Sequence, residues 1–174
     1  MKYYSMFAFA LMGMSAIQAQ SPLLGELKQS YTGVKNNLLR LADAMPEAGY
    51  SFKPTPEIQS FAERIAHVAD TQFALCGMAK GEQKRGDAAS KTSKADLVAA
   101  LKESFDYCDG AYDGLSDSAL TETVKMFGRD RTKFGVLDFN VVHDTEMYGY
   151  LSVYLRLKGV VPPSSAGRGM GKKQ

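Results

Sequence analysis

Leu24, Leu27, Tyr31, Val34, Leu38 and Leu41 recur at intervals of three and four residues, the period of a helix with one apolar face. The pattern predicts a helix from about Leu23 to Ala44, ended by Met45 and Pro46. An extended passage, YSFKPTPEIQ, follows, because Pro54 and Pro56 hold the residues before them out of the helical region. Helical period resumes with Ile65, Val68, Ala69, Gln72 and Cys76. Ser60 and Glu63 supply an S-x-x-E capping box at its start, and the helix stops between Met78 and Gly81.

The loop GEQKRGDAASKT reads as solvated surface, and a third helix begins at Ser93, with Asp96 three residues on as at a second capping box. Its stripe is Leu97, Leu101, Phe105, Cys108 and Tyr112, ending near Leu115. A polar connection, TETVKMFGRDRTKF, leads to a fourth helix from about Phe134 to Lys158, stopped by Gly159, Pro162 and Pro163. Four such amphipathic segments predict an all-α four-helix bundle. The absence of a Gly-rich phosphate loop, of strand alternation and of internal repeats argues against nucleotide-binding and all-β folds.

The two ends read differently from this middle. Lys2 is the only early charge, MFAFALMGMSAI is an uncharged apolar run, and small residues from Ala16 to Ala19 precede Gln20. Residues 1–19 therefore read as a secretory signal peptide cleaved after Ala19, placing the mature chain in the periplasm or outside the cell. The alternative is an uncleaved N-terminal anchor, although the run falls short of the ~20 residues that cross a bilayer. No cysteine follows the run, which argues against a lipid anchor. The bundle then occupies residues 20–163, and the Gly- and Lys-rich tail 164–174 is expected to be disordered.

With 174 residues, 45% of them hydrophobic, the chain suits one domain with a sizeable core. Its formal net charge of +2 gives no electrostatic case for nucleic acid or an anionic membrane. No later segment is apolar enough for stable membrane insertion. The expected partner is a small molecule, with a homodimer left open.

Histidine is rare, at two residues, and so draws attention as candidate chemistry. At ~100° per residue, Val136, Phe139, His143, Met147, Tyr150, Leu151 and Tyr154 share one face of the fourth helix, so His143 points into the bundle. One inward imidazole alone reads as a hydrogen-bonded core residue, since it cannot hold a metal. His67 lies off the stripe of Ile65, Ala69 and Gln72, on the side of Ala74 and Met78. Tyr150 and Tyr154 are candidate pocket walls, while Tyr148 and Arg156 face away from His143. Asp70 and Asp144 read as surface or supporting carboxylates, and nothing in the spacing of Cys76 or Cys108 brings a thiol nucleophile to a histidine.

Together, YSFKPTPEIQSFAERIAHVAD and VVHDTEMYGYLSVYLRLKGVVPP resemble the DinB family of four-helix bundles, also described as DinB/YfiT-like metal-dependent enzymes, over nearly the whole mature chain. The resemblance implies a divalent metal, nickel or zinc, on one histidine of helix two and two histidines one turn apart on helix four. The first falls on His67, the second on His143 and the third on Met147, where the family's His-Tyr-Gly run is Met147-Tyr148-Gly149. Two imidazoles and a thioether make a poor set for Zn²⁺ or Ni²⁺, so metal is expected to bind weakly. Glu146, three residues from His143, is a substitute donor, and a soft Cu(I) site using Met147 is a further alternative.

The family's thiol-dependent transferases and isomerases imply a cytosolic thiol pool, at odds with an exported chain. Two readings result: a ligand- or partner-binding bundle with a degenerate metal site, or a metal-dependent hydrolase or thiol transferase. The resemblance also implies that helices two and three run parallel through a long crossover, roughly Ala79 to Thr92. On that topology Cys76, sixteen residues past Ser60, and Cys108, fifteen past Ser93, lie within about 1.5 Å in height. Antiparallel helices would separate them by roughly 15 Å. A Cys76–Cys108 disulfide is expected in an oxidising compartment, two buried free thiols being the alternative.

Overall fold

A computed structural model describes residues 22–167, so the leader at 1–19 and the tail beyond Gly167 lie outside the described residues. Four helices form where the apolar stripes lie: α1 over Pro22–Ala44, α2 over Phe61–Lys80, α3 over Lys94–Asp113 and α4 over Lys133–Leu157. Each end has a local cause. The Ser60 hydroxyl accepts the Glu63 N–H at 3.2 Å and the Glu63 carboxylate accepts the Ser60 N–H at 2.6 Å, a complete capping box for α2. Gly81 closes that helix at φ 75°, a left-handed conformation that glycine adopts without steric cost. Ser93 caps α3 by accepting from Asp96 N–H at 3.0 Å, and Thr132 caps α4 by accepting from Gly135 N–H at 3.0 Å.

Between α2 and α3 the chain walks back along α2. The Ala88 and Ala89 amides donate to the Asp70 carboxylate at 2.9 and 3.1 Å, and Lys94 then donates to the Asp43 and Met45 carbonyls at the end of α1. Helix α3 therefore starts beside the beginning of α2 and runs parallel to it. Cys76 and Cys108, both fully buried, join these two helices in a disulfide with Cα atoms 5.3 Å apart. Helix α4 runs against α2, since Met147 meets Arg64 and the Tyr154 hydroxyl donates to the Gln59 carbonyl at 2.6 Å. Helix α1 runs against α3, with the Tyr31 hydroxyl bonded to the Phe105 carbonyl at 3.1 Å and its ring stacked on Tyr112.

Three expectations are corrected. The polar connection before α4 contains an antiparallel hairpin, β1 Thr123–Met126 with β2 Arg129–Thr132, paired from Thr123↔Thr132 to Met126↔Arg129. Its two turn residues, Phe127 and Gly128, both have positive φ, as a tight hairpin with right-handed strand twist requires. The start of the tail expected to be disordered is ordered, because Ser164 and Ser165 belong to a 3₁₀ turn over Pro163–Ser165 and the Ser164 amide donates to the Tyr148 hydroxyl at 2.9 Å. The inward face of α4 is also rotated from the one expected. Val136, Leu137, Asn140, Asp144, Met147, Leu151, Tyr154 and Leu155 are buried, whereas Phe139 and Tyr150 stand exposed.

A histidine pair between α2 and α4

The rotation of α4 leaves His143 at the edge of its buried face, turned toward α2, where His67 occupies the matching edge. Their Nε2 atoms lie 3.1 Å apart with the rings edge to face. His67, placed by periodicity on the outer side of α2, thus reaches its partner from an exposed position. Behind the pair, the His143 Nδ1 lies 3.4 Å from the Asp144 carboxylate. Asp144, read as a surface or supporting carboxylate, is fully buried behind His143, and its other oxygen accepts from the Gln72 side-chain amide. Burial pushes the Asp144 carboxyl above its ordinary range, against the opposing pull of His143 and Gln72.

The same interior holds Asn140, which donates to the Tyr112 hydroxyl at 3.2 Å while its own carbonyl oxygen has no partner among the described residues. Sequence period alone did not point to this polar layer of Gln72, Asn140 and Asp144; its signal was three polar residues falling on the stripes of α2 and α4. On the outer side of the pair, burial first, then His143 and Arg64, hold the His67 imidazole below the ordinary histidine range, with Asp70 pulling the other way. Arg64 lies one turn before His67. Its guanidinium sits 3.8 Å from the Met147 sulfur and 5.1 Å from the centre of the Tyr150 ring, and its Nε is buried without a partner among the described residues.

The other expected site residues fall apart from the pair. Glu146 is exposed and accepts from the Tyr150 hydroxyl at 3.1 Å, so its carboxylate is turned along α4. Tyr150 is a surface residue under Arg64, which corrects its expected place as a pocket wall. Tyr154 is buried and tied to Gln59. A cleft of about 720 Å³ opens on the flank of α2 away from α4, bounded by His67, Lys53, Lys91, Glu63, Asp70 and Thr92. Its size lies within the ~300–1,000 Å³ of small-molecule sites.

The geometry bears directly on metal binding. Two Zn–N bonds of ~2.0–2.1 Å at the tetrahedral angle set their nitrogens about 3.3–3.4 Å apart, close to the spacing of the pair. Among the described residues a third strong donor does not converge on it, and they contain no group of three or more His, Cys, Asp or Glu placed to hold an ion. Where that donor would stand, Met147 offers a thioether already in contact with a guanidinium cation. These residues do not fit a tightly held divalent metal.

Residues 30–151 match the DinB superfamily. The chain belongs to the DinB superfamily. Solved DinB-like structures agree with the bundle seen here. One from Bacillus cereus ATCC 10987 superposes with a TM-score of 0.70 at 17% identity, over 80% of this chain and 95% of its own. One from Bacillus subtilis does so at 0.63 and 24% identity, over 77% and 92%. The mycothiol-dependent maleylpyruvate isomerase aligns with a TM-score of 0.59 at 19% identity, over 71% of this chain and 60% of that enzyme. At these identities the likeness is one of fold. No curated protein matches the chain. In this DinB bundle the helix-two and first helix-four histidines are both present and face each other, and Met147 stands one turn further along α4.

Proposed function

We propose that this chain is an exported DinB bundle that has exchanged a divalent-metal centre for a metal-free site, and that it binds a small anionic or zwitterionic molecule beside the histidine pair. The observation that carries this reading is the contact of Arg64 with Met147 at 3.8 Å. A fixed guanidinium occupies the ground where a third metal ligand would converge, so the site carries positive charge in its side chains. A second cation brought there would meet like-charge repulsion, whereas a carboxylate or thiolate would meet a donor fork whose Nε is unpaired. The adjoining cleft, with lysines and carboxylates on its walls, offers room for a molecule bearing both signs of charge.

A second reading is a metal-dependent transferase of low-molecular-weight thiols. The 3.1 Å histidine pair and the likeness of fold to the mycothiol-dependent isomerase favour it. Metal content of the untagged protein after dialysis against a chelator separates the two. Wild-type protein is expected to retain no stoichiometric nickel or zinc and to bind either at least ~100-fold more weakly than an Arg64→Ala/Met147→His variant. Stoichiometric metal surviving in the wild type would overturn the metal-free reading and favour the second.

A further inference from the structure

Apolar side chains on α4 are not confined to the face that meets α1 and α2. Val142, Val153 and Leu157 are 56, 55 and 57% exposed, and Phe139 and Tyr150 join them on the outer surface. A helix that is apolar around its circumference is one covered on every side, yet among the described residues nothing covers the outer side of α4. Along it, Val142, Glu146, Gly149, Val153 and Arg156, all exposed, are spaced alternately by four and three residues, the seam spacing of two packed helices.

Two further features of the seam bear on what it can meet. Gly149 lies in the middle of α4 with nothing within 4 Å of where a Cβ would stand. A mid-helix glycine costs about 1 kcal/mol relative to alanine, and no packing within the bundle asks for it. Glu146 and Arg156 carry opposite charge on the same seam but lie ten residues, about 15 Å, apart along the helix, too far to pair with each other. Neither forms a salt bridge among the described residues.

We propose that this seam docks a second copy of the chain, α4 against α4, antiparallel about a two-fold axis level with Leu151. That axis makes the seam complementary to itself. Glu146 of each copy then faces Arg156 of the other, Val153 of each enters the gap left by Gly149 of the other, and Val142 lies within a turn of the other copy's Leu157. An isologous contact uses every such match twice, so charge and shape complementarity count double.

Sedimentation of the purified chain is expected to give a dimer. Glu146→Arg and Arg156→Glu, each of which sets like charges opposite one another twice, should each raise the dimer dissociation constant at least ~10-fold. The combined charge swap should restore it. Gly149→Ala separates an interface from a folding effect, because it should raise the thermal midpoint of the free helix bundle while weakening the dimer. A monomeric wild type, a charge swap that fails to restore association, or a Gly149→Ala protein that dimerises as well as the wild type would each overturn the arrangement.

Discussion

At the scale of single residues, the buried Asp144 is the most exacting feature of the site, because a carboxylate withdrawn from water needs donors in place. Gln72 is the donor that the fold supplies, and His143 stands on its other side. Replacing Gln72 by Leu should cost roughly 2–4 kcal/mol in denaturant unfolding, by leaving the acid short of a partner in a dry interior. The Gln72→Leu/Asp144→Leu double variant should recover part of that loss, since it removes the need along with the donor. A double variant no more stable than the single would contradict the coupling. His67 gives the matching pH prediction. An unfolded histidine takes up its proton near 6.5, whereas burial, His143 and Arg64 lower that value for the folded His67. Between the two values the unfolded state binds more protons, so the contribution of His67 to stability is whole above about 6.5 and is lost as pH falls through that window. Titration of its ring protons by NMR should find a midpoint below that of the unfolded chain. A midpoint at or above the unfolded value would refute the assigned environment.

The elements were legible in the sequence to the degree that a single face of each was buried. Helices α1, α2 and α3 each carry one apolar stripe, and Ser60, Glu63 and Ser93 announced the starts of α2 and α3 before any contact was known. Helix α4 was legible as a helix but not in its orientation, because apolar residues ring it and leave the choice of inward face to its neighbours. That ambiguity misplaced Tyr150, while Met147 stayed within the buried face and His143 moved to its edge. The hairpin escaped notice because its strands are four residues long with only Met126 buried, so no alternation stands out, and its Phe-Gly turn lacks the usual Asn-Gly signal. Facing histidines on α2 and α4 were legible only through resemblance to a family, since His67 is exposed and periodicity set it off the apolar stripe of α2. Parallel α2 and α3 impose a constraint of their own, for their disulfide closes a loop of sequence separation 32. The chain-entropy model gives such a cross-link about 3–4 kcal/mol. Unfolding with and without reductant should differ by that order, and a difference under 1 kcal/mol would mean that the helices are held as well without the bond.

For the whole molecule, the disulfide and the N-terminal apolar segment concern the same question, the compartment in which the chain folds. A buried disulfide in a DinB bundle is maintained where thiols are not kept reduced, and a charge-poor run before Gln20 is the kind of segment that directs a chain to such a place. The two features are independent in sequence, one lying before the bundle and the other spanning its second and third helices. Chain produced with residues 1–19 in a bacterial host should be recovered from the exported fraction with its N-terminus within a residue or two of Gln20 and no titratable thiol after unfolding. Chain produced in the reducing cytosol without those residues should carry two thiols per molecule and unfold at lower denaturant, by the free energy that the cross-link contributes. Intact mass and thiol titration read both outcomes. Recovery of exported material that retains Met1 would remove cleavage from the argument, and two free thiols in that material would show that the compartment does not maintain the bond.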